Sequence, residues 1–502
     1  MLNRQVLNIV ANFSGVGARL IFSLAFNIAY FRLLGSEGYG LIGFYASLAA
    51  LSSLFDLGLN QTTMREVARR GADGERAGEL RVVVFTLQFV LGGIGLLLGL
   101  LVAVFARWIA ASWFSVSQLA ADDVTASVAL MGAALALLFP ANFFYATLIG
   151  LQRQVLSNVV IVAATAGRGA LTLAALFAFG PSPVIFFSAQ IAASAIETGV
   201  LGLVVWESLP ASPQRPRFDI GLLKTTWKFT SGTWLAVTFA QVAMLGDKII
   251  LSTLLPLHLF GLYSLAVTVT STLQRLAAPF TNSYFPYFVR LREEHRGDVL
   301  LGAYRQACEF ASAIFLSAGL SLIAYAAPIA QLLSTDPADT VKLGWLLALL
   351  AAANTVNVEM ALPFSLQFAH GITAIALRLN LALCVLYPAA LVLLVPGYGM
   401  EAAAVLWLAA NALMFPALIV MTHRIILPGQ AWPWLVRTIL LPGVGATAVS
   451  ISGAAIMPGL SRLPTLIWLA FSGALALAVA LLCAPETREI IFSRLGRRGS
   501  RR

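Results

Sequence analysis

Apolar segments of about 20 residues recur along the whole chain, and they constrain the fold more than any other feature. Hydrocarbon offers no water to hydrogen-bond the backbone, so each segment is predicted to cross a bilayer as a helix. Strands of a membrane β-barrel would be about 10 residues long and would alternate in polarity, unlike these uniformly apolar segments. The pattern therefore predicts an all-α polytopic membrane protein with about 14 transmembrane helices. The predicted helices lie at about 10–31, 39–59, 82–105, 124–148, 156–179, 184–206, 229–252, 260–281, 303–327, 342–366, 374–395, 400–420, 438–457 and 464–484.

Composition removes several other classes of protein. Apolar residue types make up 59% of the chain and charged types 11%, whereas a soluble protein carries about 25% charged residues. This excludes a soluble globular enzyme, a disordered protein and a coiled coil. The three cysteines and four histidines show no metal-ligand or disulfide spacing, and no phosphate loop or dinucleotide fingerprint occurs. We expect no cofactor, no metal and no catalytic site.

The distribution of loop charges predicts the orientation. With the N-terminus placed in the cytoplasm, four of the 32 lysines and arginines fall in or at the edge of outer loops, and four lie well inside predicted helices. The remaining 24 then lie on the cytoplasmic side, as the positive-inside rule requires. Both termini are therefore predicted to be cytoplasmic. The net charge of +10 is explained by these loops and does not indicate nucleic acid.

An internal repeat relates the two halves of the chain. The stretch 33–41 has the pattern LL-x4-YGL, and the stretch 254–262 has LL-x4-FGL, displaced by 221 positions. The same displacement spans six predicted helices, so the halves would run in parallel orientation, as in one class of transporters. The sequence thus predicts two six-helix lobes around a central cavity, followed by two extra helices. The predicted divisions are an N-terminal lobe at 1–206, a cytoplasmic linker at 207–228, a C-terminal lobe at 229–420, two extra helices at 421–484 and a basic tail at 485–502.

Three short stretches near the N-terminus carry a family resemblance. They are RLLGSEGYG at 32–40, SSLFDLGLN at 52–60 and REVAR at 65–69. Together they resemble the N-terminal signature of bacterial polysaccharide-biosynthesis flippases, the Wzx-type members of the multidrug/oligosaccharidyl-lipid/polysaccharide exporter superfamily. The resemblance in residues covers about the first 70 positions, and in helix number and repeat it extends over the whole chain.

The resemblance implies a function and a location. It implies a flippase in the bacterial inner membrane that moves isoprenoid pyrophosphate-linked polysaccharide repeat units from the cytoplasmic to the outer leaflet by alternating access. Membrane lipids, a polysaccharide polymerase and assembly proteins would be its partners. A lipid II flippase or a multidrug exporter of the same superfamily remains an alternative. A membrane glycosyltransferase or polysaccharide polymerase is a further one, although no outer loop exceeds about 20 residues.

Charged residues inside the predicted helices supply the candidate site. Each cation costs about 2.5–3.5 kcal/mol at mid-bilayer, so such residues should face a partner or a water-filled cavity. A pyrophosphate-bearing substrate would need cations in that cavity, and arginine offers forked donors to phosphate oxygens. The cavity candidates are Arg19, Ser23, Asn27, Gln241, Lys248 and Arg275, and the candidates for coupling to a proton or sodium ion are Glu197, Asp247 and Glu359.

Some of the polar residues in the predicted helices could serve to hold the helices together instead of binding a substrate or ion. Arg168 has Glu197 on the next helix as a neutralising partner, and Asp247 stands beside Lys248. The amides of Asn354 and Asn357 are suited to sugar hydroxyls, but hydrogen bonding between helices is the preferred interpretation.

Overall fold

The structure, a computed structural model, is all-helical in the part that it describes. The structure describes residues 2–56, 58–71, 77–212, 216–222, 248–457 and 462–489. No strand occurs among these residues, which confirms the predicted fold class. Contacts between residues divide the chain into two compact units, Met1–Ser264 and Leu265–Arg502. The lobe and linker boundaries inferred from the sequence stay a prediction.

The first unit consists mainly of long helices with short connections. Its residues 248–254 are also helical, and its last residues begin α8, which continues into the second unit. The labelled helices are α1 (Leu2–Ser52), α2 (Leu59–Gly71), α3 (Ala77–Val104), α4 (Ala106–Trp113), α5 (Ala121–Gly150), α6 (Gln154–Phe179), α7 (Pro183–Ser208) and α8 (Leu257–Thr270).

The second unit has the same character and ends in two extra helices. A π-helical turn, Leu435–Leu440, leads into the first of them. The helices are α9 (Thr272–Glu293), α10 (Gly297–Ala324), α11 (Ala326–Leu333), α12 (Pro337–Glu359), α13 (Ala361–Ala369), α14 (Ala374–Ile425), α15 (Ala431–Trp434), α16 (Leu441–Ala455) and α17 (Arg462–Cys483).

Two of these helices are each broken once by a glycine. The backbone of Gly35 in α1 has φ +70°, and that of Gly399 in α14 has φ +67°. L-amino acids with side chains rarely adopt this left-handed region, whereas glycine does so without steric cost. The breaks lie where the sequence predicts turns between helices, so α1 and α14 each hold two predicted membrane segments.

Ten helical stretches in the described part are long and apolar enough to cross a membrane. Two of them, Phe22–Asp56 and Ala374–Ile425, contain the glycine breaks. Most of the predicted segment 229–252 lies outside the described residues. The polytopic architecture is confirmed, and the number of fourteen transmembrane helices stays a prediction.

The two extra helices are fixed to α10 and to the residue that follows it by polar contacts. The hydroxyls of Ser321 and Ser450 are 3.1 Å apart, and those of Tyr325 and Ser472 are 2.6 Å apart. Beyond α17, the Glu486 backbone N–H donates to a carboxylate oxygen of Glu309 at 2.8 Å. Hydroxyl pairs of this kind hold helices together where burial of apolar surface provides no driving force.

Candidate functional site

An ion pair joins α6 and α7 near the middle of both helices. The Arg168 guanidinium contacts the Glu197 carboxylate, and 30% and 12% of the two side chains are exposed. The other Glu197 oxygen accepts a hydrogen bond from the Tyr145 hydroxyl of α5 at 2.8 Å. The pairing agrees with the structural alternative for Arg168, because the carboxylate removes the cost of a lone cation at this depth.

The same network extends through side-chain amides and hydroxyls. A second Arg168 nitrogen donates to the Gln190 amide oxygen at 3.4 Å, and the Gln190 amide nitrogen donates to the Thr172 hydroxyl at 3.2 Å. Five polar groups on three helices are therefore joined within the first unit. Since both Glu197 oxygens have partners, the arrangement stabilises a charged pair, and a coupling role for Glu197 stays a prediction.

The second unit contains an uncharged counterpart made of amides. Gln274 of α9 donates to Asn354 and Asn357 of α12 at 3.2 and 3.3 Å. Asn357 donates to Asn411 of α14 at 2.8 Å, and the Trp407 indole N–H donates to Asn354 at 3.0 Å. The two α12 amides thus bond to neighbouring helices, which was the preferred interpretation from the sequence.

Glu359 is the buried acid with the fewest partners in this region. Its side chain is 6% exposed, and one carboxylate oxygen accepts a hydrogen bond from the Ser312 hydroxyl of α10. The other oxygen, Oε1, has no hydrogen-bond partner in the described part of the chain. A buried carboxylate with one partner costs several kcal/mol, and a proton or cation bound there would remove that cost.

The predicted cavity residues are only partly brought together. The Asn27 amide donates to the Ser23 carbonyl at 2.7 Å, and its oxygen accepts from the Tyr39 hydroxyl at 2.9 Å. This ties the two arms of α1 to each other. Lys248 is half-buried in the first unit, and Arg275 is exposed in the second, one residue from Gln274. Arg19 lies on α1 with its side chain outside the described part, and Gln241 and Asp247 lie outside the described residues.

The corners that carry the repeat pack against each other in the first unit. A Cβ on Gly40 would meet the carbonyl oxygen and side chain of Leu257, and a Cβ on Gly261 would meet the backbone of Ser36 and Gly40. These backbones are therefore closer together than side chains permit.

These contacts are reciprocal under the displacement of 221 residues. Gly40 faces Leu257, which corresponds to Ser36, and Gly261, which corresponds to Gly40, faces Ser36. Gly43 also faces the Ser264 side chain, its own equivalent position. Self-paired and reciprocal contacts are the mark of a two-fold axis. A local pseudo-two-fold axis therefore passes between the two corners.

The Glu37 carboxylate fastens an adjoining loop to this crossing. It is 2% exposed and accepts hydrogen bonds from the backbone N–H groups of Ser117, Gln118 and Leu119 and from the Ser117 hydroxyl, at 2.7–2.9 Å. The same loop is bonded to the other corner, since the Leu257 N–H donates to the Ser115 carbonyl at 3.1 Å. One carboxylate thus holds a loop that touches both corners.

We expect Glu37→Ala to destabilise the protein by about 2–3 kcal/mol, because three backbone donors lose a charged acceptor. Thermal unfolding of the purified protein in detergent measures the effect. Glu37→Gln keeps one amide oxygen as acceptor and should lower the melting temperature less. Equal melting temperatures for the wild type and both variants would contradict this role of Glu37.

Several residues of these networks were not predicted. For Gln190 and Asn411 the sequence does indicate a hydrogen-bond partner, because a side-chain amide inside an apolar segment is costly without one. For Tyr145 and Trp407 the sequence indicates no such partner, since aromatic residues fit an apolar helix whether or not their polar atoms form hydrogen bonds. Glu37 lies within the stretch 32–40 that carries the family resemblance, and it was not among the predicted site residues.

Comparison with known proteins identifies the family. Residues 6–292, more than half of the chain, match the family described as "Polysaccharide biosynthesis protein". The chain belongs to this family. A search of curated protein sequences found no match.

The fold of this family member is shared with solved transporters. An inward-facing multidrug resistance MATE family transporter of the MOP superfamily aligns with a TM-score of 0.67 and 14% identity, over 83% of this chain and 98% of that one. The lipid II flippase MurJ, in an inward closed conformation, aligns with a TM-score of 0.67 and 12% identity, over 97% and 100%. A point mutant of the Vibrio cholerae MATE transporter VcmN gives 0.55 and 15%, over 85% and 99%. Together with the ten candidate spans, these likenesses show a multi-pass membrane protein of this fold.

Proposed function

We propose that this protein is a flippase for isoprenoid pyrophosphate-linked polysaccharide repeat units in the bacterial inner membrane. The observation that carries the proposal is a family match to polysaccharide biosynthesis proteins on a chain with a transporter fold. The cargo would move from the cytoplasmic to the outer leaflet. A transporter moves such units without forming or breaking a covalent bond, so the proposal assigns no enzymatic step.

The proposed mechanism is alternating access between two lobes. Arg19, Lys248 and Arg275 would neutralise the pyrophosphate in a central cavity, while Ser23, Asn27 and Gln241 would bind polar groups of the cargo. The isoprenoid tail would stay in the lipid, since burial of its apolar surface already favours that phase. Both termini would be cytoplasmic, in line with the basic loops, and a polysaccharide polymerase and assembly proteins would receive the product.

Mass spectrometry of isoprenoid-linked glycans in cells with and without this protein tests the proposal. We expect lipid-linked repeat units to accumulate on the cytoplasmic side when the protein is absent, with loss of surface polysaccharide. Changed drug susceptibility without glycan accumulation would instead indicate a multidrug exporter. Repeat units that reach the outer leaflet and stay unpolymerised would indicate a polymerase.

A lipid II flippase is the second candidate. It is favoured by one observation, the alignment of MurJ with 97% of this chain. Accumulation of lipid II in the same measurement would support it against the leading proposal.

Glu359 is the coupling site best supported by burial, with Glu197 and Asp247 as the other candidates. We expect Glu359→Gln to keep the fold, because the amide retains the shape and an oxygen for Ser312, and to abolish the dependence of transport on an imposed proton or sodium gradient. Transport into vesicles under each gradient measures this. Glu401→Gln, at an exposed position of α14, is the matched control. Unchanged gradient dependence in Glu359→Gln would remove Glu359 from the coupling mechanism.

A further inference from the structure

The segment formed by residues 216–222, of which the first four are not helical, lies along the first turns of α3. The Asp219 N–H donates to the Thr86 hydroxyl at 3.0 Å, and that hydroxyl is 3.5 Å from the Arg217 carbonyl oxygen. Nearer the start of α3, the Arg81 guanidinium donates to the Pro210 carbonyl at 3.0 Å. Thr86 is the tenth residue of α3, so this contact lies about 13 Å along the helix from its start.

Side chains along this segment have the character of a membrane–water boundary. Phe218 and Ile220 are 50% and 63% exposed, while Leu222, at the end of the segment, is buried. The Arg81 guanidinium lies 6.0 Å from the Trp206 ring at the end of α7. Aromatic and arginine side chains concentrate at the headgroup level of a bilayer. We therefore place residues 216–222 at that level.

A cavity of about 510 Å³ opens between this segment, α2 and α3. Its polar lining consists of two arginines and two carboxylates, and its apolar lining of valine and leucine side chains of α3 and the segment. The charged residues are Arg70, Arg217, Glu79 and Asp219.

The two arginines and two carboxylates of the cavity have no net charge between them, and this favours a ligand that carries both a negative and a positive group. Arg70 is held by Glu66 and lies 3.4 Å from Glu79, yet a guanidinium has five donors and keeps others for an anion. The Asp219 carboxylate accepts the Gly221 N–H through one oxygen and keeps the second. A ligand with a phosphate alone would be attracted by the arginines and repelled by the carboxylates. A ligand with a phosphate and an ammonium group would be matched by both.

We propose that this cavity binds the phosphoethanolamine headgroup of a membrane phospholipid. The phosphodiester would lie between Arg70 and Arg217, and the primary ammonium would donate to Glu79 and Asp219. The acyl chains would leave over Val83 and Leu222 towards the apolar core. None of the residues that line this cavity is among those proposed for the transport cavity.

Native mass spectrometry of the full-length protein with equal amounts of three phospholipids tests the proposal. The lipids share their acyl chains and carry phosphoethanolamine, phosphocholine or phosphoglycerol headgroups. We expect the wild type to retain the phosphoethanolamine lipid about tenfold over the other two, because choline offers no N–H donors and glycerol no cation. Equal retention of the three lipids, or preference for the phosphoglycerol lipid, would overturn the proposal.

Two variants test separately how the ammonium group and the phosphate of the headgroup are bound. Asp219→Asn keeps an oxygen for the Gly221 N–H and should reduce the preference for phosphoethanolamine over phosphocholine about tenfold. Arg217→Gln keeps the backbone contact with Thr86 and should weaken retention of all three lipids. If Asp219→Asn melts below the wild type, Glu79→Gln replaces it, since the Glu79 side chain is 63% exposed and outside the segment.

The matched control removes an ion pair elsewhere. Arg290 and Glu294 form an exposed pair at the C-terminal end of α9, at 3.7 Å, and do not line this cavity. Arg290→Gln and Glu294→Gln should leave the lipid preference unchanged. The same loss of preference in these controls as in Asp219→Asn would show a nonspecific charge effect and overturn the site.

Discussion

Replacement of Glu197 by alanine is expected to lower the free energy of unfolding by about 2–3 kcal/mol, because it leaves the Arg168 cation unpaired near the middle of α6. The value lies below that for a fully buried pair, since 30% of the Arg168 side chain is exposed. Thermal unfolding in detergent and the amount of protein in the membrane measure the loss.

The double variant Arg168→Ala/Glu197→Ala distinguishes an ion pair from two independent residues. With no charge left unpaired, it should be more stable than Glu197→Ala alone. Glu207→Ala, at an exposed position on the same helix, should match the wild type and serves as control. Additive losses in the double variant would contradict the ion pair. A stable double variant that does not transport would instead give the pair a role in the cavity.

Gly261→Ala is expected to have the second large effect, because its Cβ would meet the backbone of Ser36 and Gly40, which no side-chain rotation can relieve. We expect a loss of about 3 kcal/mol, the upper end for overpacking, as a lower melting temperature. Transport should fall with it, because less of the protein would be folded.

The pseudo-two-fold axis predicts the same effect at the equivalent glycine of the first corner. Gly40→Ala should resemble Gly261→Ala, because a Cβ there meets the Leu257 backbone in the equivalent way. Gly167→Ala, at a position with open space around it, should leave both stability and transport unchanged. A wild-type melting temperature for Gly261→Ala would contradict the close crossing.

Regular features of the fold were accessible from the sequence, because they depend on local composition. The apolar segments predicted helices, and α3, α5, α6 and α7 begin and end within a few residues of the predicted bounds. The displacement of 221 residues predicted parallel halves, and the reciprocal contacts of Gly40 and Gly261 follow the same displacement. The family resemblance in the first 70 residues is confirmed by the match over 6–292.

The candidate site was harder to predict, because a polar residue in an apolar helix signals only that some partner exists. For Asn354 and Asn357 the partner is another helix, through Gln274 and Asn411. For Glu359 it is one hydroxyl, with an oxygen left over. Nothing in the sequence spacing distinguishes these cases. The roles of Arg19, Lys248 and Arg275 in the cavity stay predictions.

The sequence by itself determined that this chain is helical, crosses a membrane many times and repeats after 221 residues, since helix formation in lipid follows from runs of apolar side chains. Only the tertiary structure decided which polar groups meet. The pair of Arg168 with Glu197, the loop held by Glu37 and the contact of Asp219 with Thr86 join residues 29 to 133 positions apart. Such contacts depend on how the helices pack, and that geometry is set by the fit of many side chains together.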